Sequence, residues 1–384
     1  MDGSLQIGKL FGIPIRLHWS FLIVIPLFAW IIGSFIEETT NLLIDFFNLF
    51  FDAAPDSIDT TLITQGFNPY ILGTIVVLGL FAGVLLHELA HSLVARSRGI
   101  KINSITLLIL GGVASMEEGI PDPKVELPMA LVGPLMSFFI GIVCSAVALV
   151  SAAIVQNTEI AGLLFFIFGY LGLLNLILFG FNLLPAFPMD GGRVLRAWLA
   201  KRMPLHRATR IAADIGKAFA IVFGIVGILL GSFLLIIIAV FIYIGAGQES
   251  QMVKYNVLLQ DVAVSDAMSS PVVTIPPNLP VTDVIEMMYS TRHLGFPVVD
   301  RGSLIGMVTL ADVHAIPLPD REALQVKDIM SEKTVTLPPG APLIEALKIM
   351  SVKNIGRIPV VENGVVVGIV TRTDILRVME LKEI

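Results

Sequence analysis

A single cysteine, Cys144, leaves the chain without an intrachain disulfide and without the thiols of a cysteine-built metal site. Charge is scarce as well: Asp, Glu, Lys and Arg supply 15% of the 384 residues against 55% hydrophobic, and the mean hydropathy is +0.86. That balance excludes an ordinary soluble protein. A net charge of -6 gives no general attraction for a polyanion, so no nucleic-acid partner is expected. The chain has no glycine-rich phosphate loop, which argues against nucleotide hydrolysis. No A-x-A-type cleavage site follows the first apolar run, so that run is expected to be retained as a span.

What is abundant is segregated. Apolar runs fill the chain to about Gly247, and six spans can be drawn, at 17–36, 71–95, 128–153, 161–184, 209–230 and 232–247. Basic residues fall on alternate connections: Lys9 and Arg16 before the first span, Arg96, Arg98, Lys101 and Lys124 after the second, and Arg193 to Arg210 after the fourth. The other connections carry no Lys or Arg and hold Glu37, Glu38, Asp45, Asp59 and Glu159 among their acids. By the positive-inside rule both termini face the cytosol of a cell-membrane protein.

The second span is organised differently from the rest. Within its apolar run lie His87, Glu88 and His91. A charged group at the centre of a bilayer costs on the order of 3 kcal/mol or more, so ionisable residues there usually mark function. Histidines four apart project from one helix face and can bind one cation, while the glutamate beside the first is placed to take a proton from water. This is the HExxH arrangement of zinc hydrolases. His91 lies about 8 Å along the helix from Arg96, at about 1.5 Å per residue, which puts the site in the membrane near its cytosolic side.

A catalytic zinc needs a third protein ligand and keeps a place for water. With cysteine excluded, the candidates at matching depth are Asp190, in NLLPAFPMDGGR at the end of the fourth span, and His18, at the start of the first. Pro185 and Pro188 break the helix and Gly191-Gly192 permit a turn, so Asp190 is expected on unwound backbone. Asp190 can instead cap a helix or pair with Arg193. Asn182 is a buried amide close by, suited to a substrate carbonyl or developing oxyanion, or else to tying helix backbones together. Residues 101–116 read as strand, turn at Gly111-Gly112 and strand, either an ordinary hairpin or an edge on which an extended substrate docks. Residues 42–51 are too short to span and read as an interfacial lid or as a helix packed on the bundle.

HELAH in an early span with NLLPAFPMDGGR ending a later one resembles the site-2 protease family of intramembrane zinc metalloproteases, as do FGIPIRLHWSF, GGVASM and Gly133-Pro134. The resemblance covers residues 1 to about 250. It implies hydrolysis of peptide bonds in or near transmembrane segments of membrane-protein substrates, with His87, His91 and Asp190 as ligands of one Zn2+, Glu88 as general base and Asn182 assisting at the carbonyl. The long outer loop, 37–70, departs from that family's pattern.

From Val264 the chain repeats: 264–314 aligns without a gap on 326–376 at an offset of 62, pairing Asp266 with Asp328, Thr309 with Thr371 and Asp312 with Asp374. Each copy reads as strand, helix, two short strands around Arg301-Gly302 or Asn363-Gly364, and a second helix. GMVTLAD and GIVTRTD resemble the nucleotide-contact segment of tandem CBS domains. That resemblance implies ATP, ADP or AMP between the copies, with Thr309, Asp312, Thr371 and Asp374 as contacts and Arg357 and Arg372 supplying charge, and it implies a place where two chains can pair. Asp312 and Asp374 can equally be helix caps.

The expectation is therefore a multi-pass α-helical membrane protein of six transmembrane helices at 1–250, a linker at 251–263, and a soluble α/β tandem CBS module at 264–384 with copies at 264–316 and 326–379. Its expected activity is that of an intramembrane zinc endopeptidase modulated through the CBS pair. A CBS-gated transporter or channel, and a zinc-bound scaffold without catalysis, are the alternatives.

Overall fold

The computed structural model describes residues 3–51, 59–108, 111–116 and 122–382. It divides into two units, Met1–Gln251 and Met252–Ile384.

The first unit is a helical bundle with a small sheet. Its chain order is β1 (Ser4–Leu10), β2 (Ile13–His18), α1 (Ser20–Ser34), α2 (Ile36–Phe51), the single turn α3 (Thr61–Thr64), α4 (Asn68–Ser97), β3 (Ile102–Leu108), β4 (Gly111–Met116), α5 (Pro123–Ile154), α6 (Thr158–Asn182), α7 (Asp190–Leu199), α8 (Leu205–Leu229) and α9 (Phe233–Leu259). In lipid the backbone must satisfy its own hydrogen bonds, so long apolar runs become helices. Their ends carry ordinary signals. Pro69 and Pro123 occupy first turns, and Asp122 and Asn157 accept N-cap bonds from Lys124 N at 2.8 Å and Ile160 N at 2.9 Å. Gly99, at φ +84°, closes α4.

Five helices, α4, α5, α6, α8 and α9, are long and apolar enough to cross a membrane, and six spans result if α1 and α2 count as one. That pair bends by 75° at Phe35. The expected first span is thus a 15-residue helix followed by a second helix that carries Glu37, Glu38 and Asp45. Of the two roles open to 42–51, packing is the one seen: Leu43 and Phe47 are fully buried with Phe165 and Phe166, and the Phe47 and Phe165 rings lie 5.2 Å apart. Inside a bilayer such packing acts through dispersion contacts rather than expulsion of water. Residues 52–58 of the outer loop lie outside the described residues.

The sheet is larger than the sequence pattern suggests. Its order is β1-β2-β3-β4, with β2 and β3 parallel (Ile15 opposite Ile105) and the two outer pairs antiparallel. The expected hairpin at 101–116 is present, but β4 begins at Gly111, and 109–110 lie outside the described residues. Ile13, Ile15 and Ile105 pack on Leu89 of α4, which fixes the sheet beside the HExxH turn. Helix α9 continues to Leu259, through part of the stretch read as linker; 248–259 contains neither Gly nor Pro.

The second unit is built twice. The first copy holds α10 (Val264–Ala267), α11 (Val281–Thr291), β5 (Gly295–Asp300), β6 (Ser303–Thr309) and α12 (Leu310–His314). The second holds α13 (Val326–Ile329), α14 (Leu343–Val352), β7 (Arg357–Glu362), β8 (Val365–Thr371) and α15 (Arg372–Lys382). Each hairpin turns through two residues of positive φ, Arg301-Gly302 (49° and 85°) and Asn363-Gly364 (51° and 82°), matching the strands' twist. The copies exchange backbone bonds: Ser269 pairs with Ile369 on β8, and Ser331 with Met307 on β6. Each lead-in segment thus extends the other copy's hairpin, so neither half satisfies its edge alone.

Candidate metal centre

Three side chains from two helices meet at one point. His87 and His91 sit one turn apart on α4, and Asp190 opens α7. Asp190 Oδ2 lies 3.2 Å from His87 Nε2 and 3.1 Å from His91 Nε2, and the two Nε2 atoms are 3.1 Å apart. Both histidines are buried. A tetrahedral zinc with bonds of about 2.0–2.1 Å separates its ligand atoms by about 3.3 Å, so this donor set fits the ion. Two imidazoles and a carboxylate leave a fourth place for water.

The imidazoles are held from behind by α5. His91 Nδ1 is 2.6 Å from the carbonyl of Met129, which can only accept, so Nδ1 carries the proton and the Nε2 lone pair faces the cluster. His87 Nδ1 is 2.8 Å from Ser137 Oγ, which orients the second ring likewise. Such partners fix the tautomer of metal-binding histidines. Between Met129 and Ser137 lies Gly133; a Cβ there would be built into both imidazoles, so this helix face must lack a side chain. The sequence places Gly133-Pro134 but carries no spacing signal for Ser137 or for a backbone carbonyl.

Asp190 reaches the cluster because α6 ends at Asn182 and the chain passes Pro185 and Pro188 before α7 begins. The expectation of unwound backbone needs correction: Asp190 is the first residue of α7, and Gly191 and Gly192 are helical. Their bareness serves close approach, since a Cβ on Gly191 would meet the Leu183 and Leu184 carbonyls and one on Gly192 the backbone of Ala186 and Phe187. The fold-back over residues 183–189 makes that contact unavoidable.

Glu88 is half-buried and is not one of the three side chains whose ligand atoms converge. Its side chain lies against Gly112 of β4, where a Cβ would collide with it, so the sheet's last strand runs past this carboxylate. His18, the rival ligand, ends β2 with Nδ1 2.8 Å from Ser20 Oγ and stands outside the cluster. Asn182 is half-buried in the last turn of α6 and makes no side-chain hydrogen bond among the described residues. A second amide, Asn175, was not singled out by sequence. It is buried on α6, donates to Leu171 O at 2.9 Å, and leaves Oδ1 unpaired against Gly83, one turn before His87.

In the second unit the Thr and Asp pairs form helix caps. Thr309 N and Oγ1 donate to Asp312 Oδ2 at 2.7 and 2.6 Å, and Thr371 N and Oγ1 to Asp374 Oδ2 at 2.9 and 2.6 Å. Oδ1 of each aspartate is left without a hydrogen-bond partner among the described residues. Arg372 donates to the Met350 and Ile355 carbonyls at 3.0 and 3.3 Å, which ties it to the end of α14. Arg357 packs over Gly295, and its burial lowers the guanidinium pKa.

A helical bundle in which two buried histidines meet an aspartate, followed by a duplicated hairpin unit, defines a membrane metalloprotease carrying a CBS pair. The model of peptidase family M50 matches residues 75–162 and 151–223, and the CBS domain model matches 264–316 and 326–381. The chain is 36% identical over 384 residues to the zinc metalloprotease MJ0392 of Methanocaldococcus jannaschii, spanning 100% of this chain and 98% of that one. It belongs to the site-2 protease family of zinc metalloproteases. It is also 31% identical over 142 residues to stage IV sporulation protein FB of Bacillus subtilis, 37% of this chain and 46% of that one. The solved site-2 protease from Methanocaldococcus jannaschii aligns at 38% identity and a TM-score of 0.42, covering 64% of this chain and 95% of that chain. Membership of this family sets aside the transporter and the non-catalytic scaffold, and the family's metal is zinc.

Proposed function

We propose that the chain is an intramembrane endopeptidase whose zinc is held by His87, His91 and Asp190, and which cuts membrane-protein substrates in or near their transmembrane segments. The observation that carries this is the meeting of the three ligand atoms within 4.8 Å of one another, both histidines buried, with Glu88 alongside. When bound, zinc supplies a nucleophile at neutral pH by lowering the pKa of water to about 7. Glu88 takes the proton from the attacking water and passes it to the leaving amide nitrogen. The Asn182 amide donates to the substrate carbonyl, where negative charge develops. Basic residues on alternate connections put both termini and the CBS pair in the cytosol.

Substrate docking is assigned to β4. It is the last strand of its sheet, Val113 on it is 43% exposed, and its glycine start abuts Glu88. An unwound segment added as a fifth strand would present its peptide bonds beside that carboxylate. A cysteine placed at Val113 should then cross-link to a substrate cysteine next to the cut bond. Efficient cleavage with no cross-link from any nearby substrate position would remove this docking mode.

In the CBS pair, Asp312 and Asp374 retain Oδ1 to accept from ribose hydroxyls, and Thr309 and Thr371 sit where phosphate can be bound, so an adenine nucleotide is the proposed effector. It regulates only if it binds two states unequally. In vesicles holding the protein and a single-span substrate, a fragment cut within the span is expected, and its rate should change with ATP, ADP or AMP. No fragment from folded, zinc-loaded protein tested on several single-span substrates would overturn the protease assignment. An unchanged rate with all three nucleotides and a folded CBS pair would overturn the regulation alone.

A further inference from the structure

Asp190 can serve as a ligand only while α7 is held in register with α4 and α5, and the packing of α7 raises the question of what holds it. Of its ten residues only Gly191, Gly192, Arg196 and Ala197 are buried, so its one long buried side chain is a guanidinium. Arg196 lies on the same helix as Asp190, six residues on, and is 3% exposed. Its Nε donates to Glu126 Oε1 at 2.9 Å and Nη2 donates to the same oxygen. Nη1 donates to Glu249 Oε1 at 2.8 Å, and the guanidinium carbon stands 4.9 Å from the centre of the Phe187 ring.

The partners are what give this ion network a role. Glu126 belongs to the first turn of α5, three residues before the Met129 carbonyl that holds His91 and eleven before Ser137, which holds His87. Glu249 belongs to α9. One guanidinium therefore joins the helix that orients both histidines, the helix that carries Asp190, and a third helix. Stability does not account for it. A buried ion pair is about neutral against well-packed apolar residues of the same volume, and here Glu126 Oε2 is buried with no hydrogen-bond partner among the described residues. What a fixed charge pair supplies that apolar packing does not is register: a guanidinium shared between two carboxylates is satisfied in one arrangement and not in a slid one.

We propose that the Glu126–Arg196–Glu249 network positions Asp190 for zinc, with Arg196 a positioning residue that acts through Asp190. The proposal rests on Asp190 being a ligand. It is tested on the full-length protein in detergent, measuring zinc affinity by chelator competition and the visible spectrum of the Co2+-loaded form, with folding followed by thermal melting. Arg196→Gln is expected to weaken zinc binding roughly 10- to 100-fold, as loss of outer partners does, and to shift the Co2+ bands. The paired change Glu126→Met with Arg196→Met keeps volume and leaves unpaired only Glu249, whose side chain is 28% exposed, and should show the same loss in a folded protein. Arg196→Gln added to Asp190→Asn should cost nothing further, because effects that pass through one residue are not additive.

Unchanged affinity and Co2+ bands in the folded Arg196→Gln or paired variant, with Asp190→Asn impaired, would overturn the positioning role and leave the ligand standing. A full additional loss in the double variant would overturn it too, since Arg196 would then act elsewhere. Normal zinc binding by Asp190→Asn would overturn the ligand assignment and the proposal together.

Discussion

Glu88→Gln is expected to abolish peptide-bond cleavage while leaving zinc in place. The carboxamide keeps the size of the side chain and its fit against Gly112, and Glu88 is not among the three groups that converge on the metal position. What it loses is the capacity to accept a proton. A positioned general base contributes roughly 10²- to 10⁴-fold, and Glu88 also returns the proton to the leaving nitrogen, so the fall should reach the upper part of that range. Fragment release in vesicles and metal analysis of the same preparation give the two readings. A variant that cuts within tenfold of the unmodified rate would take the base role away from Glu88. One that loses its zinc would mean that the carboxylate helps to hold the ion.

The second large effect is on the metal itself. Purified protein is expected to carry about one zinc per chain, with the ion lost or sharply reduced in His91→Ala and in Asp190→Ala. Each substitution removes one of three donors, and neither site can recruit a replacement readily. Among the described residues no other His, Cys, Asp or Glu joins the cluster, and Gly133, which borders both Nε2 atoms, has no side chain that could replace a donor. His18, the other histidine weighed for the site, is engaged with Ser20 at the end of β2. Zinc retained by Asp190→Ala would leave the two histidines standing and move the third ligand elsewhere. A folded and remetallated sample with no zinc would contradict the site as a whole.

Much of this architecture was legible because membrane helices and tandem repeats leave local signals. The spans at 71–95, 128–153, 161–184, 209–230 and 232–247 are helices α4, α5, α6, α8 and α9, since an apolar run in lipid has few other ways to satisfy its backbone. The HExxH face needs only the period of one helix. The copies at 264 and 326 declare themselves by self-similarity, and the Thr-x-x-Asp spacing of each copy is that of the cap which Asp312 and Asp374 form. The first span was harder, because its apolar residues continue past Phe35 while the helix axis turns by 75° there. Composition records how apolar a run is and says little about where it bends.

Residues that act through distant partners left no such trace. Ser137 is one of several serines in an apolar helix, and its hydrogen bond to a histidine 50 residues away has no spacing rule. Arg196 counted only as one of the basic residues that orient the chain in the bilayer. Its burial between Glu126, 70 residues before it, and Glu249, 53 after it, depends on how three helices pack. The N-terminal hairpin was missed for a related reason: β1 is exposed along most of its length, and β2 finds its parallel partner β3 some 90 residues later.

By itself, then, the amino-acid order determined the membrane helices, the pair of histidines with their glutamate, the proline-broken run that carries Asp190, and the duplicated C-terminal unit. These are properties of short stretches, set by hydrogen-bond closure, helical period and repetition. Only the tertiary structure decided that Asp190 rather than His18 meets the histidines, across 103 and 99 residues, and that α7 is tied to α5 through a buried guanidinium. It also decided that β4 passes Glu88. Those outcomes depend on the rotation and register of packed helices, which side-chain contacts between distant segments fix and no local pattern encodes.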